Sequence, residues 1–353
     1  MTINKGLEGV VAAETALSLV DGERGELVIA GFAIAELAPN ATFEETVSLL
    51  WDEPYVAGRR DVPASTIALL RDAARDCVDT MDALRMGAGT IRSAEPADVL
   101  AALPTLVAAY WRLLHKEEPV APRGDLGHAA NYLYMLSGET PSAERVRGLE
   151  TYLNTVVDHG LNASTFTARV ITSTGSDLVS AVVGAIGALK GPLHGGAPGP
   201  ALDMVFEIGD AARAEEVLRR KIESGEKLMG FGHRVYKVRD PRADVLAAAA
   251  ERLFARDGDM QLYRLAKSVE STALRLLEEY KPGRRLQTNV EFYTALLLHG
   301  LGFETPLFTP TFAISRAAGW IAHCLEQRRA NRIIRPQSVY VGPTGRTWRN
   351  PAA

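Results

Sequence analysis

TPSAERVRGLETYLNTVVDHG, residues 140–160, is the stretch that decides the fold class. Thr140 stands where a cap accepts a backbone N–H, Pro141 suits a first helical turn, and Gly160 closes the segment. Between them Val146, Leu149, Leu153, Val156 and Val157 recur at helical spacing and share one face. The segment therefore reads as an amphipathic helix that delivers Asp158 and His159 at its C-terminal end.

The same pattern continues on both sides. Thr42 and Glu45 have capping-box spacing ahead of the apolar run VSLLW. Residues 98–116, DVLAALPTLVAAYWRLLHK, are helical with a kink expected at Pro104, and residues 178–189, LVSAVVGAIGAL, are too short to span a bilayer and suit a buried helix. Further helical patterns cover 124–138, 243–256, 268–281 and 311–329. Strand patterns are confined to GELVIAGFAI at 25–34 and SVYVG at 338–342. The expectation is an all-α protein with minor short β-strands.

The 353 residues allow one large domain or two, and the two densest Gly/Pro stretches, 190–200 and 302–312, divide the chain. They imply a large helical domain of residues 1–198 and 305–353 and a small helical domain of residues 199–304. A net charge of −4 argues against wholesale binding to nucleic acid or acidic membranes. Cys77 and Cys324 form no CxxC pattern, which excludes a disulfide scaffold and a cysteine-rich zinc site. Glu8 and Glu14 interrupt the N-terminal region where a signal peptide needs an apolar run, so a cytoplasmic location is expected.

Three of the seven histidines have unusual settings: His159 at a helix end, His194 in GPLHGGAPG and His233 in GFGHRVYK. Glycines beside the last two let backbone approach a ligand closely. His115, His128, His299 and His323 lie inside helical patterns and read as structural. The basic run Arg234, Lys237, Arg239 and Arg242 offers charge to phosphates or carboxylates, or is simply a solvated turn. Glu291 precedes an apolar helical run that would desolvate it and raise its basicity, although a helix N-terminal acid has the same signature. GFGHRV lacks the third glycine of a dinucleotide loop, and no GxxxxGK[ST], HExxH or GxSxG motif occurs.

KGPLHGGA, GFGHRVYKVRDPR, TNVEFYTA, ISRAAGWIAHCLEQ and IIRPQSVYVG, in that order, resemble the citrate synthase family, as do the N-terminal segment and DHGLNASTFTARV. The resemblance implies a helical homodimer whose small domain closes over the substrates. It implies condensation of an acyl-CoA, usually acetyl-CoA, with a 2-oxoacid, usually oxaloacetate, followed by thioester hydrolysis, as in the tricarboxylic acid cycle. It implies no metal and no prosthetic group. On that resemblance Glu291 is the base, His194 stabilises the enol, and His233 polarises the ketone. His159, His233, Arg242, Arg316 and Arg335 hold oxaloacetate, with Arg335 reaching in from the other subunit. Leu193, Gly230, Lys237 and Asn289 contact CoA.

Two residues depart from the family pattern. Glutamate at 291 replaces the usual aspartate and lengthens the reach by roughly 1–1.5 Å, a misplacement that can cost about a hundredfold. Pro198 replaces an amide side chain after LHGGA. The alternatives are 2-methylcitrate synthase, a relative using another acyl-CoA or 2-oxoacid, and a non-catalytic acyl-CoA or dicarboxylate-binding paralogue. A metal hydrolase built on Asp158, His159, His194 and His233 is the more distant alternative.

Overall fold

A computed structural model describes residues 4–7, 9–195, 199–232, 235–257 and 259–348. The helix that opened the sequence reading forms over Ala143–Val156, and it starts two residues later than the Thr140 reading places it. Ser142 is the cap, accepting the Arg145 N–H, while the Thr140 hydroxyl accepts from Arg123 instead. A capping hydroxyl must sit directly ahead of the first helical residue to reach the third N–H, and Ser142 has that place. Leu149, Leu153, Val156 and Val157 are buried as the periodicity requires.

The helices in chain order are α1 (Ile34–Asn40), α2 (Phe43–Trp51), α3 (Ala64–Arg75), α4 (Thr80–Ala88), α5 (Pro96–Leu114), α6 (His128–Ser137), α7 (Ala143–Val156) and α8 (Ala163–Ser173). They continue as α9 (Leu178–Leu189), α10 (Gly199–Ile208), α11 (Ala214–Glu223), α12 (Pro241–Asp257), α13 (Met260–Tyr280), α14 (Val290–Gly300) and α15 (Phe308–Arg329). The fold is all-α. Its strands form one small antiparallel meander, β1 (Ser18–Asp21), β2 (Glu26–Ile29) and β3 (Phe32–Ala33), with Leu19 opposite Val28 and Val28 opposite Ala33.

Sequence signals explain the element ends. Thr42 and Glu45 form the expected capping box on α2. Asp177 caps α9 through the Ser180 N–H, and Leu178, Ala181, Val182, Ala185, Ile186 and Leu189 are its buried face. Pro104 lies within an uninterrupted α5. Among the described residues α5 alone is long and apolar enough to cross a membrane, and it is largely buried in the protein. SVYVG at 338–342 forms no strand: Val339, Tyr340 and Val341 are exposed, and none of the described residues pairs with them as a strand. A ladder needs a neighbour, whatever the alternation of the strand.

α15 is the central element, with side chains buried around its whole circumference from Phe308 to Cys324 and contacts to α2, α4, α5, α7, α8 and α9. It is stitched to the end of α7 by the Ser315 hydroxyl, which donates to Leu153 O, and by Arg316 Nε, which donates to Val156 O at 2.7 Å. Both carbonyls belong to the last turn of α7, so two side chains of α15 hold the end of α7 in place. Helices α10 to α14 pack on one another, and α12 also packs on α1 and α7.

The turn between β1 and β2 reaches the loop ahead of α12. The Lys237 N–H donates to Gly22 O at 2.9 Å, and the Lys237 ammonium pairs with Glu23. A Cβ at position 22 would stand 2.2 Å from Val235 O, so only glycine permits this approach.

Candidate active site

Glu291 lies in the first turn of α14, and Asn289 sets its position. The Asn289 side-chain oxygen accepts the Glu291 N–H at 2.9 Å, while its amide donates to Gly232 O at 2.8 Å. Backbone bonds from Asn289 N–H to Gly230 O and from Gly232 N–H to Gln287 O lock residues 230–232 against 287–289. Gly230 has φ +87°, and a Cβ there would stand 3.0 Å from the Phe292 side chain, so the glycine is needed for both conformation and space. The loop that leads to His233 is thereby fastened to the helix that carries Glu291.

Glu291 shares a cavity of about 170 Å³ with His194 and Arg242, walled by Tyr152, Val156 and Phe312. Burial raises its pKa above the ordinary carboxylate value; Arg242 opposes the rise and Asp240 adds to it. No described residue hydrogen-bonds its carboxylate. A half-buried, unclamped carboxylate with raised basicity is suited to removing a proton.

His194 is held by α8 and α15. The Ser164 backbone N–H donates to His194 Nε2 at 3.3 Å, the Ser164 hydroxyl lies 2.8 Å from the same atom, and Trp320 Nε1 donates to that hydroxyl at 3.0 Å. Because Nε2 accepts a main-chain hydrogen, the ring proton belongs on Nδ1. Burial, helped by the Arg316 charge, lowers the pKa to about 4, so His194 is a neutral donor at pH 7. A neutral imidazole can donate to a developing oxyanion without first losing a proton.

Buried cations stand beside this pair. Arg242 is clasped by Asp240 through Nε (3.0 Å) and Nη2 (2.8 Å). Burial opposes its charge, but Asp240 outweighs it and the pKa is raised. Tyr236 lies 5.7 Å beneath that guanidinium, and its hydroxyl is 3.0 Å from His159 Nε2. Arg316 stacks on Phe312 at 4.7 Å, and burial lowers its pKa to about 10, partly offset by Asp158. Asp158 is itself fixed by the Ser18 hydroxyl, by Gly160 N–H and by His323. A carboxylate of raised basicity, a neutral imidazole and the buried Arg242 guanidinium on one cavity suit carbon acid chemistry on an anionic partner.

A family model described as the citrate synthase C-terminal domain matches residues 6–337. The chain belongs to the citrate synthase family. It is 40% identical to citrate synthase 2 of Bacillus subtilis over 369 residues, covering 97% of each chain. It is 38% identical to a 2-methylcitrate synthase of Mycobacterium tuberculosis, covering 96% of this chain and 91% of that one. The crystal structure of citrate synthase from Pyrobaculum aerophilum superimposes with a TM-score of 0.88 at 36% identity, covering 99% of this chain and 95% of that one. The Thermoplasma acidophilum citrate synthase, solved as a ternary complex with carboxymethyl coenzyme A and oxaloacetate, gives 0.87 at 28% identity, covering 99% of each chain. Members of this family are acyltransferases, and the chain is one.

Of the family-type residues, His194, Arg242 and Glu291 line the cavity; Arg316 stacks on its Phe312 wall, and His159 is joined to Arg242 through Tyr236. Gly230 and Asn289 are at the α14 start, Lys237 is exposed beside Glu23, and Leu193 is fully exposed. Arg335 is exposed on the segment after α15 and is not part of the cavity wall within this chain. His233 and Pro198 lie outside the described residues. Sequence reasoning missed Ser164, Tyr236, Asp240 and Trp320, although Ser164 in NAST and Asp240 in RDPR adjoin motifs that it used. His323 is fully buried between Asp158 and Arg169, in keeping with a structural role. Among the described residues no three His, Cys, Asp or Glu side chains gather as a metal site.

Proposed function

We propose that this citrate synthase-family enzyme condenses acetyl-CoA with oxaloacetate to give citrate and CoA. The observation that carries the reading is the meeting of Glu291, His194 and Arg242 at one cavity. Glu291 takes a proton from the acyl methyl group while His194 donates to the thioester oxygen, which gives the enol. The enol carbon attacks the oxaloacetate ketone, His233 supplies the proton to the new alkoxide, and water then cleaves the thioester to release CoA. Holding both reactants against one base converts an encounter between two molecules into a local event. Neither a metal nor a prosthetic group has a part in these steps.

His159, Arg242 and Arg316, with Arg335 of a second subunit, would bind the oxaloacetate carboxylates; Leu193, Gly230, Lys237 and Asn289 would meet CoA. The cavity draws one wall from α7 and α15 and the other from α12 and α14. That arrangement supports closure of a 199–304 domain on a 1–198 and 305–353 domain. A homodimer is supported by the segment after α15, where Ile333, Val339, Tyr340, Val341 and Trp348 are exposed on a single chain. The cytoplasm is the location we assign.

The second reading is 2-methylcitrate synthase, favoured by relatives of that name at 38% identity. Thiol release measured with acetyl-CoA and with propionyl-CoA at equal oxaloacetate decides between them. Faster turnover of acetyl-CoA is expected; faster turnover of propionyl-CoA selects the second reading, and no thiol release from either removes both.

A further inference from the structure

Glu270, midway along α13, lies outside the wall of the Glu291 cavity, yet it is only 4% exposed. Among the described residues four donors meet its carboxylate. Oε1 accepts Arg239 Nη1 at 3.0 Å and the Thr288 hydroxyl at 2.7 Å, and Oε2 accepts the Lys267 ammonium at 2.8 Å and the Tyr293 hydroxyl. Burial raises its pKa, but the bonds from Lys267, Tyr293 and Thr288 and the Arg239 charge outweigh that and hold it at about 2. The group is therefore ionised wherever the enzyme works.

Its donors come from different segments. Lys267 is one turn back on α13, whereas Arg239 and Thr288 adjoin the residues that build the site. Arg239 precedes Asp240, whose carboxylate clasps Arg242 and also accepts the Val290 N–H at 3.3 Å. Thr288 precedes the α14 cap Asn289 and bridges antiparallel to Phe231. Two carboxylates thus join residues 239–242 to residues 288–290: Asp240 from within the loop and Glu270 from α13. Tyr293 stands two residues past Glu291, about 200° round the helix, so its bond to Glu270 fixes the rotation of α14 that carries Glu291 to the cavity. A buried ion cluster adds little net stability, because desolvation offsets the attraction and packed apolar side chains serve as well. What a fixed carboxylate adds is direction.

We propose that Glu270 is a positioning residue: its carboxylate ties the Arg239 loop to the Thr288 end of α14 and so holds Arg242 against Glu291. The proposal rests on the condensation reading, and Glu270 itself touches no substrate. Among the described residues the titratable and charged groups facing Glu291 are Arg242 and Asp240 at the start of α12, His194 from the turn after α9 and Tyr152 from α7; α10 and the α15 part of the wall supply none. Arg242 lowers the Glu291 pKa more than Asp240 raises it, so a loop that drifts from α14 lets that pKa climb.

Steady-state kinetics of the full-length enzyme across pH, with thermal unfolding of the same samples, test the bridge. Glu270→Gln should lower kcat at least about tenfold and move the acid limb of the kcat/KM profile to higher pH. Thr288→Val keeps nearly the same shape and loses only the bond to Oε1. It should lower kcat several-fold and move the limb the same way. The double variant should be no slower than Glu270→Gln alone, since both changes break one bridge. Lys267→Met, which removes a bond to Oε2 from within α13, should lower the Tm and leave kcat and the acid limb at parental values. A cluster that merely stabilises would lower the Tm in every variant and move the limb in none. The proposal is overturned if Glu270→Gln and Thr288→Val keep the parental acid limb, if their effects on kcat multiply in the double variant, or if Lys267→Met slows turnover as far as Thr288→Val. Should Glu270→Gln fail to fold, the contrast between Thr288→Val and Lys267→Met decides alone. A parent that releases no thiol from acetyl-CoA or propionyl-CoA overturns the condensation reading and the proposal with it; an active parent with unmoved variants overturns the proposal alone.

Discussion

In the proposed reaction Glu291 concentrates the chemistry in one side chain. Its folded-state pKa is raised, so its protonated form favours the fold below the ordinary value of 4.5, and that contribution is lost as pH rises through the folded value. At neutral pH the buried charge therefore opposes folding. Glu291→Gln should lower turnover by about 10²–10⁴-fold, leave oxaloacetate binding intact, and raise the Tm at pH 7, with the gain vanishing toward pH 4. Turnover and thermal unfolding across pH check both halves. Glu291→Asp should lower kcat by about 10–100-fold, because Asn289 and Gly230 fix the backbone and cannot bring a shorter carboxylate forward. If Glu291 is the base, the acid limb of the pH–rate profile belongs above the ordinary glutamate range, since the base must be ionised. Glycines beside His194 and the apolar run after Glu291 marked both as candidates, and the family resemblance singled them out; the structure brings them to one cavity. Ser164, 30 residues before His194, carries no local mark of its partnership. Asp240, 50 residues before Val290, is equally silent, although its carboxylate joins Arg242 to the start of α14.

Helix ends do the positioning here. Asn289 has two tasks, capping α14 and tying the 230–232 loop to it, and substitutions separate them. Asn289→Asp keeps the cap and loses the amide donor to Gly232, so stability should change little while kcat falls. Asn289→Ala loses both and should cost about 1 kcal/mol of stability in addition. Chemical denaturation with steady-state kinetics distinguishes the two, and equal kinetics for Asn289→Asp and the parent would remove the tie from the mechanism. Helix interiors were readable from periodicity, as in α9, whose bounds match the apolar run residue for residue. Their ends were less so: two hydroxyls flank Pro141, and the competing bond from Arg123 to Thr140 comes from distant sequence. β1 escaped notice because SLVD is short and its pairing with ELVI is visible only in three dimensions.

At the scale of the molecule, the segment after α15 carries apolar side chains that one chain leaves in solvent. SVYVG has the alternation of a strand but no neighbour, which is why pattern alone misread it. If Arg335 serves the site of a second subunit, Arg335→Ala and Glu291→Gln should each be inactive, yet mixing the unfolded chains and refolding them together should restore about a quarter of parental activity. Half of random dimers are mixed, and each mixed dimer rebuilds one of its two sites. No recovery would place Arg335 in its own subunit or outside the site. The turn between β1 and β2 adds a further consequence. Gly22 and Glu23 grip the loop that leads to Tyr236, Asp240 and Arg242, while Arg24 projects into solvent. Trypsin can cut after Arg24 only when that grip loosens, so the rate of nicking reports how firmly the loop is held. Saturating oxaloacetate should slow that cut several-fold, making a surface hairpin far from any reacting atom a readable gauge of whether the site is occupied.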